Sequence, residues 1–326
     1  VRAPALAVGV FLALGLAGTR LRAAPSLWER ARHPSARAEE QLLVALERTL
    51  DEEDLAGADF ETAERLARAA VAMIELKKVR APRDPRLSVM MARALVDARL
   101  GREAEAEALL EFGVAHLPLG PLLAEAWHEL GVTRALRGDA AGARDAQSRA
   151  LELVWDPDDR AMALSYRAAS EVRLRDLAAA ESDFRSAAEH ARKPEKQALA
   201  RFGLGLVLER AGDLPSAYAA FDQGFALRLP LVSYSPDEAA VLPGGLFTPA
   251  YERFYLAALL AMTRARSADN PSVRRLAYEQ AVTDWDAYLL AAPEDEPWVP
   301  NAHRHRERCA TELHRLSHGR APHAPR

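Results

Sequence analysis

Cysteine is almost missing from this 326-residue chain: Cys309 stands alone, so no intramolecular disulfide can form and the compartment's redox state is left open. Aromatic residues make up only 6%, and β-branched residues are sparse beside Ala, Leu, Arg and Glu, a composition that favours helices over sheets. No sign of charge dominates, since 43 Lys and Arg face 47 Asp and Glu for a net charge of -4, so nucleic acid is not expected as a partner. A phosphate-binding glycine loop, a serine nucleophile elbow and a metalloprotease helix are all absent. Gly203-Leu204-Gly205 lies inside a helical stretch, and Glu103, Glu105 and Glu107 read as a solvated face. The chain is therefore read as non-catalytic, with no cofactor. What is present, 49% hydrophobic and 28% charged residues, suffices for a folded core with solvated helix faces.

The first residues differ from the rest. Arg2 precedes a short apolar stretch from Ala5 to Gly18, followed by Ala23-Ala24, the layout of a secretory signal peptide. The stretch is shorter than the ~20 residues a spanning helix needs, and Arg20 and Arg22 interrupt the cleavage region. Residues 1–24 are expected to be a signal peptide or N-terminal anchor, placing the chain in the periplasm or outside the cell, or anchored in the inner membrane. Membrane association is expected only through this segment. Val1 reads as an alternative start codon taken literally, as in a bacterial gene.

A spacing of 37 residues runs through the middle of the chain: Ala106, Ala143, Ala180 and Ala217 recur at that interval, as do Leu110, Gln147, Phe184 and Phe221. Gly113, Ala150, Ala187 and Gly224 form a third set, and Ala94, Gly131, Ala168 and Gly205 a fourth. Within each unit apolar residues recur at three and four, so each unit is a helix hairpin. Gly101, Gly138 and Gly212 fall where the first helix should end, with Arg175 as the exception, because glycine accepts the left-handed backbone that closes a helix. Asp139, Asp176 and Asp213 follow, each placed to cap the second helix. Pro118, Pro157, Pro194 and Pro230 lie near unit ends, where proline is expected to stop a helix.

One unit contains Trp127-His128-Glu129-Leu130-Gly131, then Gly138-Asp139, Ala143, Ala150 and Pro157, and it resembles the tetratricopeptide repeat. Leu204-Gly205 with Ala217, Phe221 and Pro230 looks similar, as does Ala281 with Trp285, Tyr288 and Pro293. The period is three residues longer than the family's 34, and Arg134 and Leu208 replace its first-helix Tyr. The resemblance implies an all-α fold: an α-solenoid, right-handed in its superhelix, of tandem antiparallel helix hairpins with a C-terminal capping helix. The expected layout is a degenerate hairpin at 35–80, four repeats over 87–231, a Pro/Gly-rich inserted loop at 232–249, a hairpin and capping helix at 250–317, and a disordered tail at 318–326.

In that family first helices line a concave groove that receives a peptide or helix. The correspondence implies that Met91, Leu95, His128, Val132, Ser165, Ala169, Phe202 and Leu206 line it here, with Arg99, Arg173 and Arg210 as a basic row able to hold an acidic peptide. The same arginines end first helices, where a cation offsets the helix dipole. The implied function is a protein-binding scaffold of the cell envelope with another protein or peptide as partner. A small-molecule or metal-binding sensor and a purely structural, oligomerising module are the alternatives. His305 with Cys309, and His314 with His318, have ligand-like spacing, but helical geometry puts the two pairs on opposite sides of one helix, so no metal is expected.

Overall fold

The computed structural model describes residues 84–97, 101–227 and 249–318. The expectations for 1–24, 35–80, 232–248 and the tail beyond His318, and the placement of Arg99, lie outside the described residues. Among the described residues the chain is all-helical, with no strand: α1 (Pro85–Asp97), α2 (Glu103–His116), α3 (Pro121–Leu136), α4 (Ala140–Leu153), α5 (Pro157–Arg173), α6 (Leu177–His190), α7 (Pro194–Arg210), α8 (Leu214–Ala226), α9 (Glu252–Ser267), α10 (Pro271–Ala291) and α11 (Val299–His318). Contacts divide the chain into two units, Val1–Pro118 and Leu119–Arg326. The first contains the α1–α2 hairpin. In the second, α3–α4, α5–α6 and α7–α8 are hairpins in which each second helix also packs on the next first helix, the neighbour-to-neighbour contact of an α-solenoid.

The 37-residue sets explain this packing. Gly131 on α3 faces Gln147 on α4, and Gly205 on α7 faces Phe221 on α8, so closely that a Cβ on either glycine would intrude on the opposing side chain. In these two hairpins the small fourth-set residue and the large second-set residue are the two halves of one contact. Between hairpins the Phe184 ring of α6 lies on Gly203 of α7.

Each hairpin turn uses one backbone device. Gly101, Gly138 and Gly212 have φ of +67°, +84° and +88°, and Arg175 takes the same left-handed conformation at +63°. The following aspartate then caps the second helix: Asp139 accepts the backbone N–H of Gly142 (2.9 Å), Asp176 that of Ala179 (3.1 Å) and Asp213 that of Ser216 (3.1 Å). Pro157 and Pro194 correct the expectation that proline stops a helix at the unit end. They open α5 and α7, at the first-turn position where a missing N–H costs nothing.

α5 and α7 run in the same sense. Asp158, in the first turn of α5, accepts the backbone N–H groups of Arg192 (2.7 Å) and Lys193 (3.0 Å) just ahead of α7. Burial works against this carboxylate, but those two bonds prevail and hold its pKa below the usual range.

α9 breaks the pattern. Its first turn meets the last turn of α7, where Glu252 pairs with Arg210 and the Tyr255 hydroxyl donates to Glu209 (2.7 Å). α9 therefore runs opposite to α5 and α7, entered through the long connection after α8. α10 packs along α9, and α11 returns along α10. Together they close a large apolar core with α5 to α8, centred on Phe202, Phe221, Tyr255, Trp285 and Tyr288.

Candidate protein-binding surface

The rows expected to line a groove divide by burial. Met91 and Leu95 are buried in the first unit, and in the second Phe202 and Leu206 belong to the large core. Ser165 is buried and donates its hydroxyl to the Ala161 carbonyl (2.9 Å) within its own helix. Such side chains join helices and lie beyond a partner's reach.

Arg173 and Arg210 are brought together by Glu252 of α9, and Arg173 also by Glu296 in the turn between α10 and α11. Arg210, its side chain 1% exposed, pairs with Glu252, 3% exposed, and its guanidinium lies over the rings of Tyr255 and Trp298. Arg173 pairs with Glu252 (3.5 Å) and with Glu296 (3.2 Å), and Glu296 also accepts the Tyr251 hydroxyl (2.6 Å). Beside them Glu209 accepts from Asn301 (3.1 Å) and bonds His305 (2.7 Å). Burial pushes the Glu209 pKa up, but contacts with His305, Tyr255 and Arg210 outweigh it and hold the group below its usual value. Arg173 and Arg210 are thus neutralised by the chain itself.

His128, Val132 and Ala169 have a different setting. Val132 of α3, Tyr166 of α5 and Leu199 of α7 form an apolar cluster apart from the main core, with half-buried Met162 and Ala169 packed against it. The His128 ring stands edge-on to Tyr166, at 4.9 Å and 87°, while its Nδ1 bonds the Gln147 side-chain carbonyl (3.0 Å). The cluster that joins the three first helices is itself buried, and the strip open to a partner is half-buried Met162 and Ala169 of α5 with the half-buried His128 imidazole at its edge. Met162, Tyr166 and Leu199 were not among the residues expected from the repeat register. Their signal was the four-residue step from Met162 to Tyr166, one helix position away from the row through Ser165.

Next to the strip, the ends of α3 and α5 enclose a hollow of about 70 Å³ walled by Leu136, Ala169, Arg173 and Pro249. Organic ligands of ordinary size need roughly 300–1,000 Å³. Among the described residues no cluster of three or more His, Cys, Asp and Glu side chains could hold a metal ion. His305 and Cys309 face inward on α11, whereas His314 and His318 are exposed. Among the described residues no helix is long and apolar enough to cross a membrane.

No protein-family model matches the chain, and no curated protein matches it in sequence. Among solved structures it is similar to the APC/C hetero-tetramer Cut9–Hcn1, with a TM-score of 0.47 and 15% identity over 83% of this chain and 52% of that one. It is also similar to BtubC from P. vanneervenii, with a TM-score of 0.44 and 14% identity over 82% of this chain and 96% of that one. A third similarity, to the P58(IPK) TPR domain, has a TM-score of 0.23 and 16% identity over 90% of this chain and 98% of that one. The chain spans about half the length of the first of these.

Proposed function

We propose that this chain is a non-catalytic scaffold that holds a peptide or helix of another protein against the first-helix strip, and that it acts in the cell envelope. The observation that carries the reading is the half-buried pair Met162 and Ala169 on α5, packed against the buried cluster of Val132, Tyr166 and Leu199 apart from the main core. A partner's apolar side chains would gain by covering it, at roughly 25 cal/mol per Å² of apolar surface removed from water. His128 at the edge would supply a polar contact that fixes orientation. The envelope placement rests on the apolar stretch from Ala5 to Gly18.

The test is affinity capture from native envelopes with a C-terminally tagged chain, using cross-linking and mass spectrometry of the captured protein and of the bait's N-terminus. Expected are a specific partner whose cross-links map around Met162, its loss in Met162→Glu, and a processed or membrane-retained bait. Capture unchanged by Met162→Glu would reject the strip, and a cytosolic bait with an intact N-terminus would reject the envelope placement.

A further inference from the structure

α10 carries large apolar residues that its packing leaves exposed at both ends, with half-buried Gln280, which donates to the buried Asp284 (3.0 Å), and exposed Thr283 between them. Val273, Leu276 and Leu290 are 51%, 65% and 89% exposed, although the helix already buries Ala277, Ala281, Trp285 and Tyr288 on its inner side. With Gln280, Thr283 and Ala287 these residues follow one another at intervals of three and four, the a and d spacing of a coiled-coil seam. The order along the seam is two apolar residues, two polar ones, then a small apolar and a large apolar one. A single exposed leucine is ordinary, but large apolar residues kept in one helical register at both ends of a long helix point to a covering helix.

We propose that α10 is a homodimerisation seam, covered by α10 of a second copy in antiparallel alignment. The pattern complements itself. In the antiparallel register Val273 meets Leu290 of the other copy, Leu276 meets Ala287, and Gln280 meets Thr283 at the centre, so polar groups face polar groups and apolar ends face apolar ends. The pairing of Leu276 with Ala287 sets a large side chain against a small one, which lets the two helix axes approach closely. A polar centre of this kind fixes register, because sliding by one heptad would bury Gln280 against Leu276 or Leu290. Antiparallel alignment also opposes the two helix dipoles. A seam of this length, at 1.5 Å per residue, runs roughly 25 Å. Two helices paired over it bury on the order of 1,000 Å² in total, the low end for a specific interface. An interface of that size suits a dimer that forms and dissociates with concentration.

The experiment is sedimentation of the full chain from about 1 to 200 μM, alongside Leu276→Glu and Leu290→Glu, with circular dichroism to confirm that the variants stay folded. Both substituted residues are exposed, so the fold should survive. A reversible monomer–dimer equilibrium in the native chain, weakened at least tenfold by either variant, is expected. A chain that stays monomeric throughout, or a dimer untouched by both variants, overturns the proposal. Alignment is read by mixing Gln280→Cys and Thr283→Cys chains under mild oxidation. Cys309 does not compete, since burial pushes its thiol up to about 12. Disulfides between the two variants support the antiparallel seam. Disulfides formed only between identical variants overturn it in favour of a parallel pair.

Discussion

Glu171 shows what one carboxyl does inside such an array. It is 7% exposed, one of its oxygens has no hydrogen-bond partner among the described residues, and its ion-pair distance to Arg167 is 3.9 Å. Arg167 is turned instead to Asp183, which it grips through two bonds of 2.6 and 2.8 Å. Burial, with the neighbouring Asp183 charge, pushes the Glu171 pKa up to about 7, against a partial counter-effect from Arg167. The folded state thus binds this proton more tightly than the unfolded chain does. Stability from this group is fully present below its usual pKa of 4.5 and is lost as pH rises through about 7. In Glu171→Gln that component disappears. Between pH 4.5 and pH 8 the native chain should lose on the order of 1–3 kcal/mol relative to the variant. Urea midpoints at the two pH values read this difference, and an identical pH response in both proteins would show that folding leaves the Glu171 pKa unshifted.

At the scale of elements, the turns and caps were readable from sequence because they need particular residues: glycine for the left-handed backbone and aspartate for the exposed amides. Arg175 was visible as the exception, and the structure shows it adopting the glycine conformation without being glycine. A side chain there carries strain, so Arg175→Gly should stabilise the chain by about 0.5–1 kcal/mol despite glycine's greater freedom when unfolded. Thermal melting should move up by about 1–4 °C. A lower midpoint would mean that the Arg175 side chain contributes more than its backbone costs. The reversed direction of α9 was not readable. Its apolar spacing is that of any amphipathic helix, and direction depends on where the preceding connection delivers the chain. The same limit applied to the site. Register assigned Phe202 and Leu206 to a lining surface, but both belong to the large core, where the Phe202 ring lies on Gly224 and beside Phe225 of α8, while Met162, Tyr166 and Leu199 gather on α5 and α7.

At the scale of the second unit, regular hairpins hold to their neighbours by apolar contact and, between α5 and α7, by the bonds of Asp158 to backbone N–H groups, whereas the reversed α9–α11 group also holds on through buried ion pairs between side chains. Arg173 and Glu296 are 123 residues apart in sequence, so this contact ties the array to its last turn. A buried pair adds little net stability against an apolar pair of similar size, yet removing one partner strands the other's charge. Glu252 is the shared acceptor, and Glu252→Ala leaves Arg210 in the core with its nearest carboxylate gone. The cost should be about 3–5 kcal/mol, concentrated where the charge was neutralised. Hydrogen exchange should therefore quicken across α9, α10 and α11 as one block and along the end of α7, while α3 to α6 keep their protection. The double change Arg210→Met with Glu252→Leu separates charge from packing. If the array and the last helices are joined by shape, with charge fixing only specificity, it restores most of the lost protection; uniform loss across all helices in Glu252→Ala would instead mean that the second unit unfolds as a single cooperative body.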